Sequence, residues 1–81
     1  YFRAITRANL GQWAEAIEDY RKAIELSPEY GAAHFELGKA CYKLKRWEEA
    51  RAAFASAVKF RPQYKAEADT WLERIGREEK K

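Results

Sequence analysis

A spacing of 34 residues relates one half of this chain to the other. Trp13, Glu15, Ala16, Ala23, Pro28 and Tyr30 return as Trp47, Glu49, Ala50, Ala57, Pro62 and Tyr64. Leu10 returns as Leu44 and Ala32 as Ala66. Softer matches pair Tyr20 with Phe54, Ile24 with Val58, Leu26 with Phe60 and Ala4 with Gly38. A fixed period in this range marks stacked repeats, in which one unit cannot bury its own apolar face. Stacks of this kind serve mostly as extended binding surfaces.

The segments between Gly11, Pro28 and Pro62 all read as helices. Residues 1–10 read as the end of a first helix. Residues 13–26 form a second, with Trp13, Ala16, Ile17, Tyr20, Ala23 and Ile24 on one face, because steps of three and four return to the same side. The dipeptide Ser27-Pro28 stops it, since the residue before a proline is pushed out of helical geometry. Residues 31–44 form a third helix, with His34, Leu37, Gly38 and Cys41 on one stripe. Residues 47–60 form a fourth, with Trp47, Ala50, Phe54, Ala57 and Val58 facing inward. A fifth runs from about Lys65 to the high seventies. Its apolar stripe of Ala68, Trp71, Leu72 and Ile75 is narrow and its other sides are charged, as suits a capping helix. Small residues at Ala16, Ala23, Gly38, Ala50 and Ala57 let helices approach, and Trp13, Tyr20, Trp47 and Phe54 fill the holes beside them.

At 81 residues the chain is one small domain, 1–81, and its 15% aromatic content helps a core that is thin at this size. It opens on Tyr1 and holds no Met, which reads as a piece of a longer protein. One Cys excludes an internal disulfide and is compatible with a reducing compartment, so a cytoplasmic location is favoured. No apolar run is long enough for a membrane-spanning helix. The net charge of +3 is concentrated in residues 31–62, which carry seven basic and three acidic side chains. That imbalance is a mild invitation to an acidic partner and a poor basis for nucleic-acid binding. Lys39, Lys43, Lys45 and Arg46 are the only basic cluster. Trp13, Trp47 and Trp71 fall on core stripes rather than on a stacking platform.

No catalytic, metal or cofactor constellation is legible, and the chain is not expected to be an enzyme. Cys41 and His34 share a helix face but stand two turns apart, about 10 Å along the axis, too far to touch. No second His is present for a metal site. Glu48 and Glu49 are adjacent on a helix and point apart. They sit at a helix start, where the backbone dipole favours acids.

These residues resemble the tetratricopeptide repeat family. Leu37-Gly38, Tyr42, Trp47, Ala50, Phe54, Ala57 and Pro62 carry one full unit. Ala4, Leu10-Gly11, Trp13, Ala16-Ile17, Tyr20, Ala23-Ile24 and Pro28 carry most of another. The resemblance divides the chain into a first unit at 1–30, N-terminally truncated, a second at 31–64 and a capping helix at 65–79. It departs from the family at His34, where a large apolar residue is usual, and at Lys45, where the turn usually has Gly. Lys45 therefore costs more there or changes the turn. Arg3 stands where Leu37 sits in the next unit, with Asp19 as a plausible ion-pair partner.

The resemblance implies an all-α, right-handed superhelical stack of antiparallel helix pairs, five helices in all, with a concave groove. A segment of another protein would lie there. The groove residues it implies are Tyr1, Ile5 and Asn9 from the first unit, Ala32, Phe35, Lys39, Tyr42 and Lys43 from the second, and Asp69, Thr70 and Glu73 from the last helix. Helical geometry separately places Phe35, Lys39 and Tyr42 on a stripe about 120° from the buried one. They either meet a ligand there or pack against the adjacent first helices of the stack. Chaperone-binding members grip a terminal carboxylate with Lys, Asn and Arg. The matching positions here are Tyr1, Ile5, Glu36, Ala66 and Thr70, which lack that cationic pattern. The expected partner is therefore another protein or peptide, without nucleic acid or membrane. The alternative is a fragment of a longer array, monomeric or weakly self-associating through its ends.

Overall fold

The computed structural model describes residues 2–80, and the side chains of residues 5–80. Among these, five α-helices follow one another: α1 (Phe2–Asn9), α2 (Trp13–Leu26), α3 (Gly31–Lys43), α4 (Trp47–Phe60) and α5 (Lys65–Glu79). Each packs on its chain neighbours, and α3 also meets α5. The architecture is the expected all-α stack of helix pairs. One element is added, a 3-10 turn at Pro62–Tyr64 leading into α5.

The period seen in the side chains is repeated by the backbone. Ser27 N–H donates to Ala23 O, and Arg61 N–H to Ala57 O. Tyr30 N–H donates to Ser27 O, and Tyr64 N–H to Arg61 O. Both α2 and α4 start without a side-chain cap. The carbonyls of Gln12 and Arg46 take their first-turn N–H groups, from Ala16 and Ala50. Glu15 lies in the first turn of α2, and Glu48 and Glu49 in that of α4, where they complement the dipole.

The turns that end α1 and α3 share one geometry. Gln12 N–H donates to Arg7 O and Gly11 N–H to Ala8 O; Arg46 N–H donates to Cys41 O and Lys45 N–H to Tyr42 O. This is the double hydrogen bond of a Schellman cap, which needs a left-handed residue. Gly11 supplies it at φ +79°, and Lys45 adopts it at φ +61°. Of the two outcomes open for Lys45, the turn keeps its geometry and the lysine carries the steric cost. Lys45→Gly should therefore stabilise the fold by about 0.5–1 kcal/mol, the strain relieved less the added freedom of the unfolded chain. A urea midpoint that fails to rise would contradict this account of the turn.

The core lies between the helix layers. Ala16, Ile17 and Tyr20 of α2, Cys41 of α3, Ala50, Phe54 and Ala57 of α4, and Ala68 and Ile75 of α5 have no exposed surface. Gly38 lets α3 lie close against α4: a Cβ there would stand 2.8–2.9 Å from three carbons of the Phe54 ring. Phe54 meets Phe35 edge-on at 5.5 Å and stacks on Trp71 at 5.9 Å, linking α3, α4 and α5. His34 is only half-buried. Its Nε2 lies 2.9 Å from Pro28 O and donates to it, and its ring stacks on Phe60 at 5.6 Å. The imidazole thus replaces the large apolar residue usual there by covering Phe60 and tying down the α2–α3 turn.

Charged side chains join successive layers. Arg7 of α1 lies 3.3 Å from Asp19 of α2. The side chain of Arg3, the partner expected for Asp19, lies outside the described side chains. Arg21 of α2 donates to Glu49 of α4 at 2.7 Å, and Arg51 of α4 forks onto Glu79 of α5. The Arg51 hydrogen bond holds the Glu79 carboxyl below its ordinary range. The Arg21–Glu49 and Arg51–Glu79 pairs are exposed and contribute little each, whereas Arg7–Asp19 is largely buried.

Candidate functional site

A cavity of about 100 Å³ opens on the side where α1, α3 and α5 come together. It is lined by Ala8 and Asn9 of α1, Trp13 and Tyr20 of α2, Glu36, Lys39 and Lys43 of α3, and Trp71 of α5. The period explains this meeting. The helices α1 and α3 are one 34-residue period apart and α5 follows at the next, so their free sides face the same way. The floor and walls are mostly apolar, and the rim is charged.

The polar side chains are held in place. On α3, Glu36, Lys39 and Lys43 follow one another at steps of three and four and share one stripe. Lys39 Nζ lies 3.4 Å from Glu36 Oε1 and 5.5 Å from the centre of the Phe35 ring. Lys43 Nζ lies 6.0 Å from the centre of the Trp13 ring. Trp71 is fixed on the other side by Phe54 and by Tyr42, whose ring meets it edge-on at 5.1 Å. The Arg74 guanidinium also lies over the Trp71 ring, 5.1 Å from its centre.

The eleven residues expected in the groove are not all brought together. Asn9, Lys39 and Lys43 line the cavity. Tyr1 lies outside the described residues. Ile5 is half-buried and packs against the core, and Ala32 is half-buried in the first turn of α3. Phe35 is 5% exposed, closed in by Phe54 and by Tyr64, whose ring stacks on it at 4.7 Å. Phe35 thus packs against α4 and the 3-10 turn. Tyr42 is wedged edge-on between Trp47 and Trp71. Asp69, Thr70 and Glu73 are exposed on α5 and away from the cavity. Asp69 pairs with Lys65, Thr70 donates to Ala66 O, and Glu73 pairs with Arg77. Trp13 and Trp71 line the cavity although spacing assigned them to the core, and Glu36, which the resemblance set opposite a ligand carboxylate, lines it too. Glu36 was legible as a member of the Lys39–Lys43 stripe, but the reach of Trp71 from α5 depends on packing that no spacing reveals.

Cys41 lies beneath the α3–α4 turn with no exposed surface. Burial, and the Glu49 carboxylate 4.0 Å from its Sγ, push the thiol up to about 11 from an ordinary 9.0. The folded state then holds the proton to higher pH than the unfolded chain does. The stability this provides is complete below about pH 9 and is lost as pH rises through 11. Subtracting the urea midpoints of Cys41→Ala from those of wild type should expose a fall over that window. A flat difference from pH 8 to 11 would show that the thiol titrates alike in both states. No group of three or more His, Cys, Asp or Glu among the described residues is placed to hold a metal. No helix among them is long and apolar enough to cross a membrane.

Known proteins agree with this geometry. The family model described as Tetratricopeptide repeat matches residues 3–65. Over 58 residues the chain is 38% identical to Protein SGT1 homolog of Oryza sativa subsp. japonica, covering 72% of this chain and 16% of that protein. It is 31% identical over 61 residues to human Tetratricopeptide repeat protein 6, covering 75% and 12%. It is 33% identical over 57 residues to the Tetratricopeptide repeat and J domain-containing co-chaperone DNJ1 of Fusarium oxysporum f. sp. lycopersici, covering 70% and 11%. The chain thus spans less than a fifth of each of these relatives. With two units in register, a shared cap geometry at both turns and a family match over most of its length, the chain belongs to the tetratricopeptide repeat family of protein-interaction repeats.

Proposed function

We propose that this domain binds a segment of another protein in the groove formed by α1, α3 and α5. The observation that carries this is the cavity that draws Asn9 of the first unit, Lys39 and Lys43 of the second and Trp71 of the last helix onto one face. Its rim offers charge and its interior apolar surface, the mixture that orients a ligand and then holds it. The groove is short, so affinity for a peptide should be on the order of micromolar. One relative is by name a co-chaperone. Gripping a chaperone's terminal carboxylate is not the mode proposed here, because Glu36 faces the cavity and would repel it. The single thiol, kept protonated, fits a reducing compartment such as the cytoplasm.

The test is selection from a random peptide library, followed by mapping of the bound peptide on the backbone amides. Binding should shift Asn9, Lys39 and Lys43, and Lys39→Glu combined with Lys43→Glu should weaken an acidic peptide roughly tenfold or more. Shifts centred instead on Ala52 and Ser56, on the α4 surface, would move the binding face and overturn the proposal.

End-to-end stacking of copies is the second reading, and Leu26 favours it. Leu26 is 86% exposed, whereas its repeat equivalent Phe60 is covered by His34. A dimer that grows with concentration in light scattering and is lost in Leu26→Glu would support stacking. A monomer at all concentrations would remove it.

A further inference from the structure

On the premise that copies of this chain associate through Leu26, an apolar surface has to receive that side chain. The last two helices offer little. Arg51 of α4 stands where the first unit has the wholly buried Ile17, and it forks onto Glu79 of α5. No large hydrophobic side chain of α4 or α5 is exposed among the described residues. We infer that Leu26 of one copy instead enters the hollow between α2 and α4 of a second copy, on the side away from the groove.

That hollow has a volume of about 280 Å³ and a mostly apolar lining. Half-buried Leu37 of α3 and buried Ala53 of α4 line it, with Ala52 and Ser56 of α4 beside them. Its origin is a departure from the repeat. Ala52, Ala53 and Ser56 stand 34 residues after Glu18, Asp19 and Lys22, so three charged positions of α2 become small ones on α4. The short side chains leave the apolar surface of Leu37 within reach. Arg21 and Glu49 also border the hollow, but they hold each other at 2.7 Å and as a pair bring no net charge to it.

Leu26 is the matching part. It is 86% exposed at the end of α2. An apolar knob that fits a pocket elsewhere on the same molecule joins one copy to the next. The exposed charges beside Leu26 are Lys22, Glu25 and Glu29, a net negative flank. The hollow belongs mostly to residues 31–62, which carry four more positive than negative charges, and exposed Lys59 follows Ser56 by three residues on the same helix face. Charge therefore favours knob against hollow over knob against knob. Burial of one leucine contributes roughly ten- to a hundredfold in affinity. The association should accordingly be weak, on the order of 0.1–1 mM.

The experiment follows backbone amide shifts of the isotope-labelled chain from dilute solution to about 1 mM. Shifts should grow with concentration at Leu26 and at Leu37, Ala53 and Ser56. Leu26→Ser and Ala52→Arg, each with an unchanged circular dichroism spectrum, should each weaken self-association roughly tenfold or more. The first variant keeps the hollow and the second keeps the knob. Labelled Leu26→Ser should therefore regain the shifts at Ala53 and Ser56 when unlabelled Ala52→Arg is added. Self-association that survives Leu26→Ser, or a mixture that restores nothing, overturns the inference. Shifts confined to Leu26 and to Arg51 and Glu79 also overturn it and give end-to-end stacking. Shifts at Asn9, Lys39 and Lys43 overturn it by placing the second copy in the groove. Shifts at Ala53 and Ser56 raised by a library-selected peptide, and not by the chain's own concentration, give the hollow to another protein. An absence of shifts at every concentration sinks this inference and self-association together, and leaves the groove reading standing.

Discussion

Phe54→Ala is expected to cost about 3–5 kcal/mol, the range for emptying a fully buried aromatic site. Small domains hold about 5–15 kcal/mol in total, so the variant loses a large share of the fold's stability. The ring is wholly buried and touches three layers at once. It meets Phe35 on α3, stacks on Trp71 of α5 and covers the backbone at Gly38. Its loss removes the floor under Trp71, so groove and core fail together. Thermal and urea denaturation followed by circular dichroism would measure the cost. A loss below about 1 kcal/mol would mean that the neighbouring side chains collapse into the space, and that the core is far softer than its packing shows.

Gly38→Leu is the second large effect, in the opposite physical sense. Helix propensity alone makes any such replacement favourable by up to about 1 kcal/mol. Packing overrules it. Even the first carbon of the new side chain would sit 2.8–2.9 Å from the Phe54 ring, which is wholly buried and has nowhere to move. Overpacking of a tight core costs about 1–3 kcal/mol, and a leucine here belongs at the upper end. Gly38→Ala should fall between, with the steric term slightly ahead of the propensity gain. The decisive comparison pairs Gly38→Ala with Phe54→Leu. Because the two sites touch, the double variant should be less unstable than the sum of the single changes. Strict additivity would place the constraint on Gly38 elsewhere.

Much of the architecture was legible because the 34-residue period acts on side chains and backbone alike. Helices α2, α4 and α5 begin and end where apolar spacing, Pro28 and Pro62 place them. The turn at Lys45 was legible as an anomaly, but its resolution was not. Whether a chain bears a left-handed lysine or changes its turn depends on the strength of the surrounding helices. The 3-10 turn at Pro62–Tyr64 was hidden because proline marks where a helix ends and not the geometry of the next residues. It matters to the site, since it carries Tyr64 onto Phe35. A helical wheel gives Phe35 a direction but cannot show that an element from 29 residues later covers it. The lysines were identifiable by their stripe. Trp71 and Trp13, assigned to the core by spacing, pack against the core and also line the cavity because an indole is wide enough to touch both.

Apart from the contact of α3 with α5, each helix packs on the next one along the chain. No large loop has to close before structure forms, so folding should be fast. It can start at any helix pair and spread to both sides, and either end can open without disturbing the middle. The cavity is different, because its lining comes from α1, α2, α3 and α5. A ligand lying across it would add a direct tie from α1 to α3 and α5, which already meet each other. It would fasten the two ends to the centre, so that amides in α1 and α5 exchange their hydrogens together with those of α3. Occupancy would then change the grain of the molecule, turning a row of units that fray separately into one body that opens as a whole.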